Sequence, residues 1–154
     1  MVTVMVVEDN DFVRDSLVAM LATTPDVSVI AECCDGEDVL DAARRFRPDV
    51  VLMDIVLPRV DGLEAARRLL VDDPDTRVVM LTGHLTVGHV RSARALGADG
   101  FLLKDGDPSD VAQAIRTVVD GGSAWDATVD PYLLEEDRTE HRSDHGQVPR
   151  GRRT

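Results

Sequence analysis

The chain has almost no lysine: of 17 basic residues, Lys104 is the single lysine and all the others are arginine. Aromatic residues make up only 3%, with one tryptophan, Trp125. The two cysteines, Cys33 and Cys34, are adjacent and have no CxxC or metal-ligand spacing. They read as packed thiols of a reducing cytoplasm, which excludes a disulfide framework and a zinc site. No apolar run approaches the roughly 20 residues that span a bilayer. Asp9 and Asp11 cut the first apolar run too early for a signal peptide. A cytoplasmic protein with no membrane partner is therefore expected. Positive charge is scarce as well. Net charge is −12, and all of the acidic excess lies in residues 1–130, because the last 24 residues carry five charges of each sign. An acidic body argues against nucleic acid as a direct partner. No GxGxxG follows the first apolar run; Glu8-Asp9-Asn10-Asp11 stands there instead, which excludes a dinucleotide-binding module.

What is present is a regular alternation. At 154 residues the chain suits one compact domain with a sizeable core. Apolar runs that read as strands begin near residues 2, 27, 49, 77 and 99, and a helical pattern follows each. Val13, Leu17, Met20 and Leu21 share one helix face behind an Asn10 cap. Gly36 opens a helix with Val39, Ala43 and Phe46 on one side, ended by Pro48. Asp61 and Glu64 have capping-box spacing ahead of a helix packed through Ala66, Leu69 and Leu70. A weaker helix is expected from Leu85 to Leu96. Asp107-Pro108 caps the last one, which buries Val111, Ala114, Ile115 and Val118 and stops at Gly121-Gly122. Five βα units at this spacing predict a doubly wound α/β fold, (βα)5, with a parallel sheet covered on both faces. Periodicity does not give the strand order.

Polar residues punctuate the strand ends: Glu8, Asp9, Asp54, Thr82 and Lys104. The carboxyl ends of parallel strands share one edge, so these five can converge. Three clustered carboxylates repel one another and call for a hard divalent cation such as Mg²⁺. A cation beside Asp54 keeps it ionised and nucleophilic. A hydroxyl from Thr82 and an ammonium from Lys104 complete a pocket for phosphoryl oxygens. Lysine at that one position is informative, since a planar guanidinium is a poor substitute for a compact ammonium.

With Glu8-Asp9, Met53-Asp54, Leu57-Pro58, Asp61-Gly62, Thr82-Gly83 and Phe101-Leu102-Leu103-Lys104-Asp105, the chain resembles the receiver domain of two-component response regulators over about residues 2–125. The stretch Ala98 to Asp105 resembles the branch that usually carries a LuxR-type helix-turn-helix. The resemblance implies a flavodoxin-like strand order, 2-1-3-4-5. It implies that Asp54 accepts a phosphoryl group from the phosphohistidine of a sensor histidine kinase. It implies Mg²⁺ held by Asp9 and Asp54, by Glu8 through water, and by the backbone carbonyl of Val56. Thr82 and Lys104 would hold phosphoryl oxygens, Thr82 and Phe101 would form the switch, and Val56 and His84 would flank the path of the hydrolytic water. With Val56 apolar, slow self-dephosphorylation is expected. The chain departs from the family pattern in three places: Asp105 follows Lys104 where many members have proline, Phe101 replaces the commoner tyrosine, and Gly83 replaces alanine.

Two rivals compete. A haloacid-dehalogenase-like phosphatase needs a second aspartate two positions after the first; Val56 stands there. A receiver-like interaction module that is never phosphorylated shares the fold but has no need of all five site residues. The chain is expected to catalyse only its own phosphotransfer and the slow hydrolysis of its aspartyl phosphate. Residues 126–154 read as an extension too short for a helix-turn-helix, so no specific DNA binding is expected of this chain alone. The output partner is unknown, and a homodimer on phosphorylation is possible. In the extension, Pro131 to Glu136 is expected to form a short helix and Arg138 to Thr154 to be disordered. There, His141 and His145 read as non-metal residues and Arg150-Gly151-Arg152-Arg153 as a solvated run. Trp125 is expected to plug the space beneath the last helix.

Overall fold

The apolar runs form strands and the segments between them form helices. The computed structural model describes residues 1–129. Strands β1 (Val2–Val7), β2 (Val27–Cys33), β3 (Val50–Asp54), β4 (Arg77–Thr82) and β5 (Gly100–Leu103) alternate with helices α1 (Asp11–Ala22), α2 (Val39–Phe46), α3 (Gly62–Asp72), α4 (Val87–Leu96) and α5 (Pro108–Val119). Every strand pairing is parallel, in the expected order β2-β1-β3-β4-β5. A sixth strand, β6 (Ala124–Trp125), extends the sheet beyond the five expected, with Ala124 opposite Gly100 and Trp125 opposite Phe101. The expected helix at Pro131–Glu136 and the expected disordered tail with its histidines and arginines lie outside the described residues.

The sheet separates two cores, which explains why the strands read as unbroken apolar runs. Met5, Val7, Val51, Met53, Met80 and Phe101 face α2, α3 and α4, meeting Val39, Ala43, Ala66, Leu69, Val90 and Ala93. Val4, Val6, Val50, Leu52, Val79 and Leu81 face the other way, onto Leu21 of α1 and Val111, Ile115 and Val118 of α5. Trp125 packs with the first group, so it lies on the α4 side of the sheet and not beneath α5. Among the described residues, no helix is long and apolar enough to cross a membrane.

The helix starts follow their caps. Asn10 Oδ1 accepts from the Val13 amide at 3.0 Å, and Asp107 Oδ1 from the Ser109 amide at 2.9 Å. Asp61 Oδ1 accepts from the Glu64 amide at 2.9 Å, but Glu64 does not reach back. Its carboxylate pairs instead with Arg67 at 2.6 Å and Arg68 at 3.0 Å, so only half of the expected box forms. α4 begins at Val87 because Thr86 Oγ1 accepts from the His89 amide at 3.1 Å. A 3-10 turn, Gly36–Asp38, precedes α2, and Phe46 turns outward beneath the Arg45 guanidinium, 5.1 Å from its ring centre.

Candidate functional site

The strand registers level the carboxyl ends of four strands. Val7 lies opposite Met53, Asp54 opposite Leu81, and Thr82 opposite Leu103. The next residues out, Glu8-Asp9 and Lys104, therefore join Asp54 and Thr82 along one edge.

Carboxylate oxygens of Glu8, Asp9 and Asp54 lie within 4.8 Å of one another. Glu8 and Asp54 are only 1% and 3% exposed, while Asp9 is open to solvent. The Lys104 Nζ stands 2.6 Å from Glu8 Oε2 and 3.0 Å from Asp54 Oδ2, bridging the two buried acids. Backbone amides assist: Asn10 N–H donates to Glu8 Oε1 at 3.2 Å and Val56 N–H to Asp54 Oδ1 at 3.3 Å. Arg14 Nη1 donates to the Glu8 carbonyl at 2.8 Å and so fixes the loop that carries Glu8 and Asp9. Burial raises the Glu8 pKa above the ordinary value; the hydrogen bond from Lys104 opposes this and the charge of Asp54 adds to it. Burial pulls the Lys104 pKa down, but its bonds to Glu8 and Asp54 outweigh that and the net shift is upward. Three carboxylate oxygens, two sheltered and one open to water, are a donor set that suits a hard divalent cation.

Thr82 is buried at the same edge, and its hydroxyl is already engaged. Thr82 Oγ1 donates to the His84 carbonyl at 2.8 Å and accepts from the His84 amide at 3.1 Å. His84 thus enters through its backbone, while its side chain is in solvent. The Val56 side chain is 64% exposed. The peptide bond after Lys104 is trans, as are all others among the described residues.

Phe101 is fully buried on β5, the strand next to that of Thr82, and stacks on Trp125, with ring centres 6.1 Å apart and planes 9° from parallel. This partner was not legible in the sequence, because a two-residue strand has no periodicity to read.

The family model of the response regulator receiver domain matches residues 4–116. Response regulator GacA of Pseudomonas aeruginosa is 40% identical over 121 residues, covering 79% of this chain and 56% of that protein. Transcriptional regulatory protein DegU of Brevibacillus brevis is 33% identical over 137 residues, covering 89% of this chain and 58% of that protein. A two-component response regulator of the LuxR family from Aurantimonas sp. SI85-9A1 superposes with a TM-score of 0.84 at 29% identity, over 89% of this chain and 98% of that one. The chain spans less than two thirds of the length of these two curated relatives. With this sheet order and a family match over most of its length, the chain belongs to the response regulator receiver domains of two-component signalling, with LuxR-family proteins among its relatives.

Proposed function

We propose that Asp54 is the phosphoacceptor of a phosphorelay and that its phosphorylation switches a protein-interaction face. The observation that carries this reading is the Lys104 ammonium, 3.0 Å from buried Asp54 and 2.6 Å from Glu8 on the edge where Thr82 ends β4. An Asp54 carboxylate oxygen attacks the phosphorus of a kinase phosphohistidine. The new P–O bond forms as the P–N bond breaks and the imidazole leaves with the electron pair. Such a transfer asks the protein mainly for positioning and charge neutralisation. Asp9 and Asp54, with Glu8 through water and the Val56 carbonyl, would hold Mg²⁺, and the ion would supply charge neutralisation there. Lys104 then exchanges its hold on the Asp54 carboxylate for a phosphoryl oxygen. Thr82 releases His84 and turns its hydroxyl to another. The apolar Val56 leaves one side of the hydrolytic path without a polar group, which favours slow loss of the phosphate; His84 flanks the other side. The relatives' names include a transcriptional regulator, and we infer that the output is control of transcription. It is exerted through a partner, in the cytoplasm, with the acidic body making no specific DNA contact and dimerising once phosphorylated.

Incubation with acetyl phosphate and Mg²⁺, followed by a phosphate-affinity gel, tests the first step. One retarded band is expected, absent in Asp54→Ala and absent in EDTA. A band that persists in Asp54→Ala overturns the assignment and leaves an interaction module.

The switch has an optical readout. Trp125 is the sole tryptophan, stacked on Phe101. Once Thr82 moves, Phe101 gains room and the stack loosens. Trp125 emission is expected to change on phosphorylation, and the change should vanish in Phe101→Leu while labelling of Asp54 persists. Leucine is used because an alanine there would cost about 3–5 kcal/mol of core packing. An emission change that survives in Phe101→Leu makes Phe101 a core residue only.

A further inference from the structure

We propose that Arg59 and Asp35 form a latch that positions the loop between β3 and α3 for binding the divalent cation; this rests on reading the acidic edge as the cation site. The loop runs from Ile55 to Asp61 and carries Val56, whose amide donates to Asp54 Oδ1 at 3.3 Å. It is held at both ends by close backbone approach. At its base, a Cβ on Gly62 would stand 1.7 Å from the Asp54 carbonyl oxygen, and Gly62 N–H donates to the Ile55 carbonyl at 2.8 Å. At its tip, a Cβ on Gly36 would stand 1.7 Å from the Val60 carbonyl oxygen, so the tip lies directly on the turn after β2.

The latch sits at that tip. Asp35 is buried in the turn, where its Oδ1 accepts from the Glu37 amide at 2.8 Å. Its other oxygen, Oδ2, meets Arg59 Nη2, and Arg59 Nη1 lies 3.5 Å from Glu37. Among the described residues Arg59 is the cation paired with this buried carboxylate, and it reaches in from the surface with 69% of its own side chain in solvent. Arg59 meanwhile adopts φ +64°, a conformation a glycine would take without cost. The guanidinium is thus kept at the tip against the preference of its own backbone, and such a conformation persists where surrounding contacts over-determine it. Ile55 and Leu57 anchor the loop below and Arg59 anchors it above, with Val56 between them on the exposed side. Arg59 acts on the cation only through this loop and is a positioning residue.

The test compares the whole chain with Arg59→Gly, which removes the guanidinium and the backbone strain together, and with Arg59→Lys. Two titrations with Mg²⁺ are read: the rise in melting temperature, and the rate of Asp54 labelling by acetyl phosphate. In Arg59→Gly the Mg²⁺ midpoint should rise about 10-fold in both, with labelling at saturating Mg²⁺ within about twofold of the parent, as for a residue that orients a metal ligand from outside. Arg59→Lys should fall between them. A midpoint unchanged in Arg59→Gly overturns the latch, whatever the melting temperature without cation. If the parent melts higher with Mg²⁺ but Asp54 is not labelled, the phosphoacceptor reading fails while the melting titration still decides the latch. If the parent shows no Mg²⁺ response at all, the cation site and the latch fall together.

Discussion

Gly62→Ala is expected to cost more stability than alanine at any other described glycine. The new Cβ would lie 1.7 Å from the Asp54 carbonyl oxygen, 2.7 Å from its carbon and 2.9 Å from the Ile55 Cα. All three are backbone atoms, so no rotamer relieves the clash. β3 cannot recede, because it lies between β1 and β4 with all five of its residues buried. α3 cannot retreat without losing the Gly62 bond to Ile55 at 2.8 Å and the Asp61 cap. Overpacking of side chains costs about 1–3 kcal/mol, and a backbone clash should exceed about 3 kcal/mol. Gly36→Ala meets a similar distance, 1.7 Å to the Val60 carbonyl, but there the neighbour is a loop that can shift. It should cost less. Urea denaturation of both variants measures this. A loss below about 1 kcal/mol for Gly62→Ala would show that α3 slides freely over β3.

Lys104→Met should be the most damaging change at the acidic edge, and its effect should depend on pH. In the absence of divalent cation, the ammonium offsets two buried carboxylates at 2.6 Å and 3.0 Å. The folded-state pKa of Lys104 is raised, so its contribution is complete at neutral pH and fades only as pH rises through that raised value. Glu8 is also raised, chiefly by burial. The folded state therefore favours its protonated form: Glu8 adds stability below its unfolded pKa and loses that contribution as pH climbs through the folded one. In Lys104→Met the buried Glu8 carboxylate has lost its cation. The cost should be about 2–3 kcal/mol, under the ~3–5 of a fully buried broken pair, because the Lys104 side chain keeps 23% of its surface in solvent. As pH falls from 7 through the raised pKa of Glu8, the carboxylate takes up a proton and the gap to the parent chain should narrow. Urea midpoints in EDTA across this range decide it; a gap that widens on acidification would mean that Lys104 does not compensate Glu8. Lys104→Arg should recover only part of the loss, since the guanidinium is larger and flat.

Strand ends were easier to read than anything that sits between elements. Buried parallel strands are unbroken apolar runs, so β1 and β3 declare themselves, and the residue after each run must fall on one edge of the sheet. Glu8, Asp9, Asp54, Thr82 and Lys104 follow from that geometry alone, and the first, third and fifth of them touch through Lys104. The strand β6 has no such pattern; its two residues are fixed by hydrogen bonds supplied by β5 and its flanks. Trp125 was therefore visible as an apolar residue but not as the partner of Phe101. The direction of the Thr82 hydroxyl depends on the path of the loop through Gly83 to His84, which no spacing encodes. Asp35 and Arg59 come from two separate turns, and only the folded chain shows that one is buried and the other reaches it.

The two-residue strand also covers backbone that β5 would otherwise leave open. A parallel sheet that ended at β5 would offer the carbonyls of Asp99 and Phe101 to any passing chain. Here the amides of Ala124 and Asp126 take both, at 2.9 Å each, and Val129 closes the end of the segment in the core. A fragment clipped by a protease just after Val119 would keep every site residue and lose this cover. It would then carry a ready template for edge-to-edge assembly beside an uncovered aromatic ring, the kind of surface from which aggregates grow.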